Sequence, residues 1–328
     1  MFQRLTMNRK EALKLYRDSE NNPQTLYKMA DDLRRKRFGN KVELCSVVNA
    51  KSGNCSQDCK FCAQSAHNKA SSPEYPLISS EDMLEASKMA AVNLAHGFGI
   101  VTSGDCIDGA KELPLICEAI KKIKAQGMIN PDASLGRLTK DTARELKKAG
   151  LTRYHHNLET SRDFFPNICT THSYDDRIQT IKIAKEEGLE VCCGGLFGLG
   201  EIIEHRIDFA FTLKELKVDS VPLNFLIPIS ETPFEDNPRL TPDEILMTIA
   251  IFRIILPDKH IKVCGGREAN LGNRQKEIFA CGASGMMIGG YLTQGGNAPE
   301  EDLKMLKELG LEPATPIGDR SCGPVPTF

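Results

Sequence analysis

The sequence has no tryptophan and only 6% aromatic residues, which by itself excludes little. Charge of one sign is also missing. The 42 Lys and Arg, scattered through helical segments, nearly balance 44 Asp and Glu, giving a formal net charge of -2 and a pI near 6.4. There is therefore no basic footprint for a nucleic-acid backbone. No apolar run is long enough to span a membrane, and the start, MFQRLTMNRK, lacks the apolar core of a secretion signal. The expected location is cytoplasmic. No GxGxxG dinucleotide pattern occurs, and nothing in the composition divides the 328 residues into two domains; α/β barrels of this size fold as one unit.

What the chain does have is cysteine, twelve in all. In a reducing compartment these are metal ligands, reactive thiols or buried apolar side chains rather than a disulfide scaffold. Three of them, Cys55, Cys59 and Cys62, fall within the eight residues CSQDCKFC. Three thiolates are too few for a four-ligand zinc site, but they suit an iron-sulfur cluster that keeps one iron open to another molecule. A partial zinc knuckle or three unrelated thiols are the alternatives.

Residues 1–40 carry two helical patterns, Asn8 to Ser19 and Pro23 to Arg37, read as an N-terminal helical cap. From Val42 to Asn49 onward, strand and helix alternate. Strands are expected at Phe98 to Ser103, Ala133 to Gly136, Arg153 to Leu158, Leu189 to Leu196, Ser220 to Ile227, His260 to Cys264 and Gly285 to Gly289. A helix is expected after each, one at Arg274 to Ala280 among them. Gly97, Gly127, Gly150 and Gly188 fall where helices would end, and Ser79 with Asp82 marks a helix start. About eight such units predict a closed (β/α)8 TIM-type barrel over 41–310, with 311–328 as a tail packing on it; a doubly wound open sheet is the alternative. In a barrel the chemistry lies at the C-terminal ends of the strands, which is where the cysteine stretch falls.

The pattern CxxxCxxC after a first barrel strand resembles the radical S-adenosylmethionine (SAM) superfamily. There the three cysteines hold a [4Fe-4S] cluster, SAM chelates the open iron, and its cleavage gives a radical that abstracts hydrogen from carbon. Phe61 matches an aromatic common at that position. Five further stretches, NAKSGNCSQDCKFCAQS (Asn49 to Ser65), RYHHNLETS (Arg153 to Ser161), EVCCGGLFGLGE (Glu190 to Glu201), SVPLNFL (Ser220 to Leu226) and GGREAN (Gly265 to Asn270), resemble the biotin synthase family from about residue 25 to 312. The resemblance implies sulfur insertion into dethiobiotin, electrons from a flavodoxin or ferredoxin, and a homodimer. Relatives without sulfur insertion, of the hydrogenase-maturation or pyrrolysine-pathway type, and a non-catalytic iron-sulfur carrier or zinc module are the other readings.

By the same resemblance, Asn157 and Glu159 bind SAM, with Asn157 also near the substrate; Arg177 faces the SAM carboxylate; Gly194 and Gly195 line the SAM site; and Asn224 meets the ureido ring of dethiobiotin. His155 and His156 are read as structural. The family's usual auxiliary [2Fe-2S] cluster has three Cys ligands and one Arg, of which only Cys192 and Arg267 have counterparts here. Cys45 and Cys264, plausibly inward with Cys192, point instead to a four-iron auxiliary cluster carrying an extra sulfide, with Arg267 beside it. Cys106 or Cys322 could replace one of these ligands. Cys117 is read as core, Cys193 as facing the helices, Cys281 as lying opposite the active face, and Cys169 as alone in its loop.

Overall fold

The computed structural model describes residues 7–292 and 295–315. Its strands are β1 (Lys41–Lys51), β2 (Gly97–Thr102), β3 (Asn130–Ser134), β4 (Arg153–His155), β5 (Glu190–Cys192), β6 (Gly195–Phe197), β7 (Ser220–Phe225), β8 (His260–Val263), β9 (Gly285–Met287) and β10 (Glu312–Pro313). The helices are α1 (Arg9–Ser19), α2 (Gln24–Phe38), α3 (Ser80–Val92), α4 (Glu112–Gln126), α5 (Lys140–Ala149), α6 (Tyr174–Glu186), α7 (Ile203–Glu215), α8 (Pro242–Ile255), α9 (Arg267–Leu271), α10 (Glu277–Ala280) and α11 (Pro299–Glu308). All the strand pairings are parallel, and β1 bonds to both β2 and β9, so the sheet closes. With β5 and β6 as two halves of one stave, the barrel has eight. The open-sheet alternative is excluded.

Local chemistry explains where the helices begin and end. Ser173 with Asp176 and Thr241 with Glu244 form capping boxes at the starts of α6 and α8, and Ser79 caps α3 by accepting from the Asp82 N–H. Gly127 and Gly150 end α4 and α5 in the left-handed conformation that a side chain disfavours. Gly97 does not end a helix; α3 stops at Val92 and Gly97 opens β2. α8 is buried on every face from Ile245 to Ile255 because α2 packs over its outer side. That explains both its unbroken apolar run and what the N-terminal helices contribute: each Leu or Ile they cover is worth about 1.5–3 kcal/mol.

The stave expected at Leu189 to Leu196 breaks after Cys192. At the break stands Pro222 of β7, which has no N–H to offer its neighbour, and pairing resumes only at Gly195 with Leu223. A second departure follows β8. Gly266 adopts φ +81, where an added Cβ would lie 1.9 Å from the Phe225 carbonyl oxygen, and the chain turns there into α9, a helix absent from the sequence reading. The expected tail lies, beyond residue 315, outside the described residues, and Cys322 with it.

Candidate active site

The loop after β1 carries Cys55, Cys59 and Cys62, all half-buried. Backbone bonds fold it tightly: Cys55 N–H to Gln64 O, Ala66 N–H to Cys55 O and Cys62 N–H to Cys59 O. Asn68 Nδ2 donates to the carbonyls of Cys59 (3.2 Å) and Cys62 (2.8 Å). Among the described residues no three His, Cys, Asp or Glu side chains stand close enough to bind one metal ion. Thiolates that each bind a different iron of a cluster stand further apart than ligands of a single ion, so the spacing fits a cluster and disfavours the zinc knuckle. Phe61 and Cys62 face a cavity of about 360 Å³ in the barrel mouth, the size of a small-molecule site.

A second loop, after β4, clasps the first. Asp58 Oδ1 accepts from the N–H groups of Thr170 (2.8 Å) and Thr171 (3.1 Å), and Lys60 N–H donates to Ile168 O. Cys169, expected to stand alone, is buried in this joint and not isolated. Its Sγ is 3.1 Å from Asp58 Oδ1 and 3.3 Å from His172 Nδ1, and it is hydrogen-bonded to the sulfur of Cys59. That shared bond pushes the Cys59 thiol up and holds Cys169 down to about 4.

Asn157, Glu159 and Arg177 all reach the same cavity. β4 ends at His155, and Glu159 sits at φ +69, held by Leu196 N–H donating to its carbonyl at 2.9 Å. Burial pushes the Glu159 carboxyl up, against Arg177, whose Nη1 is 3.9 Å away. Arg177 also donates to the Asn157 carbonyl at 2.8 Å and to His172 Nε2 at 2.8 Å. Asn157 Oδ1 accepts from Gly194 N–H at 3.1 Å.

Gly194 and Gly195 do not themselves face the cavity, whose wall on that side is Leu196. They allow backbones to touch: a Cβ at Gly194 would stand 1.8 Å from Pro222 O, and one at Gly195 2.2 Å from Glu159 O. Gly194→Ala should cost about 3 kcal/mol, the upper end for overpacking, read as a lower urea midpoint. Asn224 spans two staves, donating to Gly195 O at 3.1 Å and accepting from Gly265 N–H at 2.9 Å. One N–H and one lone pair are left for a ligand.

Deeper in the cavity, Cys45, Cys192 and Cys264 converge as expected from their phase along the strands. Cys45 and Cys264 share a hydrogen bond that holds Cys45 down to about 7, while Cys264 is pushed up by the same bond. Cys106 is exposed and does not join them. Cys117 packs half-buried against the core, and Cys193 and Cys281 lie within it.

Arg267 does not join them either. The turn at Gly266 makes it the first residue of α9, fully buried, with Nη2 at 2.7 Å from Asp302 and Nη1 at 2.7 Å from Gln275. It fastens α9 to α11. The cations actually beside the thiols are Lys262 and His155, and the structural reading of His155 missed this. His155 is hydrogen-bonded to Cys192 and its Nε2 is 3.3 Å from Asp132. Although burial opposes it, the Cys192 and Asp132 charges push His155 up to about 10. The buried Glu43 carboxylate forms the floor, 2.8 Å from Lys262 Nζ, 2.7 Å from Arg153 Nη1 and 3.3 Å from His260 Nδ1. Burial alone would raise this carboxyl, but Lys262, Arg153 and His260 outweigh it and hold it well below the usual carboxylate range. A lone charge within each of the apolar stretches VELCSVVN and HIKVC was the signal in the sequence.

This arrangement, a three-cysteine loop at the C-terminal end of the first stave of a closed barrel, defines a class. Residues 50–213 match the Radical SAM superfamily and residues 222–312 the Biotin and Thiamin Synthesis associated domain. The chain is a radical SAM barrel enzyme. It is 50% identical over 306 residues to a biotin synthase of Trichlorobacter lovleyi, covering 93% of this chain and 92% of that one. To a biotin synthase of Geotalea daltonii it is 52% identical over 290 residues, 88% of each. It belongs to the biotin synthase family. The same fold occurs in methylornithine synthase (TM-score 0.81, 19% identity, 94% of both chains) and in the [FeFe]-hydrogenase maturase HydG (TM-score 0.80, 17% identity, 94% of this chain and 72% of that one). Among the described residues no helix is long and apolar enough to cross a membrane.

Proposed function

We propose that the chain inserts sulfur into dethiobiotin to form biotin, with SAM as the radical source and an auxiliary iron-sulfur cluster as the sulfur source. The observation that carries this reading is the presence of two three-thiol groups at two depths of one cavity, Cys62 and its loop at the mouth and Cys45, Cys192 and Cys264 below. Bound and reduced, the [4Fe-4S] cluster supplies the electron that cleaves SAM to methionine and a 5'-deoxyadenosyl radical, which takes hydrogen from carbon.

The chain's own residues bind and shield. Cys55, Cys59 and Cys62 hold the first cluster and leave one iron to SAM. Arg177 receives the SAM carboxylate, Glu159 accepts from its ribose hydroxyls, Phe61 packs beside it, and Asn157, steadied by Gly194, lies between SAM and substrate. Asn224 turns its spare donor and lone pair toward the ureido ring. Walls of Val47, Leu196, Phe225 and Met287 keep water from the reacting carbons.

Cys45, Cys192 and Cys264 are the auxiliary ligands, and three thiolates suit a four-iron cluster whose remaining iron carries the transferable sulfide better than a [2Fe-2S] form. Lys262 and His155 offset their charge. The same reading brings a flavodoxin or ferredoxin as electron donor, a pairing of two chains, and residues 1–40 as a cap on the barrel. Anaerobic incubation with SAM, a reductant and dethiobiotin should yield biotin together with 5'-deoxyadenosine by mass spectrometry. Deoxyadenosine without biotin would remove sulfur insertion, and neither product would leave only an iron-sulfur carrier.

A further inference from the structure

The clasp over the cysteine loop is more than a mechanical joint, because its hydrogen-bond directions are fixed. Arg177 Nε donates to His172 Nε2 at 2.8 Å, so the imidazole carries its proton on Nδ1. That N–H faces Gln57 Oε1 at 2.6 Å and Cys169 Sγ at 3.3 Å. Cys169 can therefore only accept from His172, and its own S–H must point elsewhere. Two acceptors are in reach, Asp58 Oδ1 at 3.1 Å and the sulfur of Cys59. Asp58 Oδ1 already accepts two backbone N–H groups, from Thr170 and Thr171, and its other oxygen takes the Thr170 hydroxyl. As a cluster ligand Cys59 is a thiolate, an acceptor only, and the proton of the pair lies on Cys169. Cys169 is 2% exposed, so water does not compete for that bond.

We infer that Cys169 is a positioning residue for the first cluster, donating a hydrogen bond to the Cys59 sulfur and raising the cluster's reduction potential. The inference rests on the reading that Cys55, Cys59 and Cys62 carry a [4Fe-4S] cluster. Hydrogen bonds to cluster sulfurs set the potential because they stabilise the more negative, reduced form. The bond also completes a chain, Arg177 to His172 to Cys169 to Cys59, joining the arginine that faces SAM to a ligand of the iron.

The test is an EPR-monitored redox titration of the anaerobically reconstituted full chain, following the signal that changes on adding SAM, in the unsubstituted protein and in Cys169→Ala and Cys169→Ser variants. Cys169→Ala should lower the ratio of reduced to oxidised cluster about tenfold at a fixed poise, a fall of about 59 mV for a one-electron couple. Cys169→Ser, which restores a donor, should recover most of that shift. An unchanged potential in Cys169→Ala, or a Ser variant as low as the Ala variant, overturns the inference while the cluster reading stands. No SAM-responsive signal in the unsubstituted chain overturns both. Should the Ala variant fail to fold, the Ser variant alone still decides: it should keep the parent potential where a purely space-filling role would let it fall.

Discussion

Replacing Cys55, Cys59 and Cys62 together with Ala is expected to leave about four irons per chain after anaerobic reconstitution, one cubane cluster, and adding Cys192→Ala is expected to remove them. The reason is geometric. The mouth loop and the deeper group share no ligand, since one set lies on the loop after β1 and the other on β1, β5 and the end of β8. Losing one should not empty the other. Iron near two in the triple variant would replace the four-iron form with a [2Fe-2S] one, and none at all would sink the auxiliary cluster. In an otherwise intact chain, Cys192→Ala alone should abolish biotin formation while 5'-deoxyadenosine is still released. Loss of both products would mean that the deeper thiols support SAM cleavage and not sulfur supply.

Glu43→Ala is expected to destabilise the barrel by about 3–5 kcal/mol, the cost of breaking a buried ion pair and leaving its partners uncompensated. Lys262 is 1% exposed and Arg153 is also buried, so neither can turn to water when the carboxylate is gone. Chemical unfolding followed by circular dichroism reads this directly, and a change within 1 kcal/mol would refute the charged-floor account. Glu43→Gln keeps the shape without the charge and should retain most of the loss. Because pairing holds the folded carboxyl below its unfolded value, the contribution is fully present above the ordinary Glu value of about 4.3. It declines as pH falls below that toward the folded value.

Much of this was readable in advance, for reasons that particular residues make plain. Parallel strands buried on both faces leave short apolar runs, as in SVPLNFL, and capping boxes mark helix starts locally, as at Ser173 and Thr241. Cys45, Cys192 and Cys264 could be placed inward because strand alternation is a local property. What escaped depends on contacts between distant segments. Arg267 was assigned to the cluster because a glycine pair after a strand does not announce a helix; only the Phe225 carbonyl pressing on Gly266 requires it. Cys169 looked isolated because its partners lie 110 or more positions earlier, at Asp58 and Cys59, and only the Thr-Thr-His run beside it hinted at a polar joint. The break at Gly194 is written in β7, at Pro222, and not in its own stave.

The charged floor also governs traffic. With Glu43, Arg153 and Lys262 packed across the base, the barrel is a vessel with a single mouth, and the cysteine loop stands in that mouth. Whatever meets the deep thiols must pass the loop going in, and the finished product must pass it coming out. A turnover is thus ordered like the loading of a closed tube: the deeper guest enters first and departs last, and SAM, seated nearer the opening, serves as its stopper.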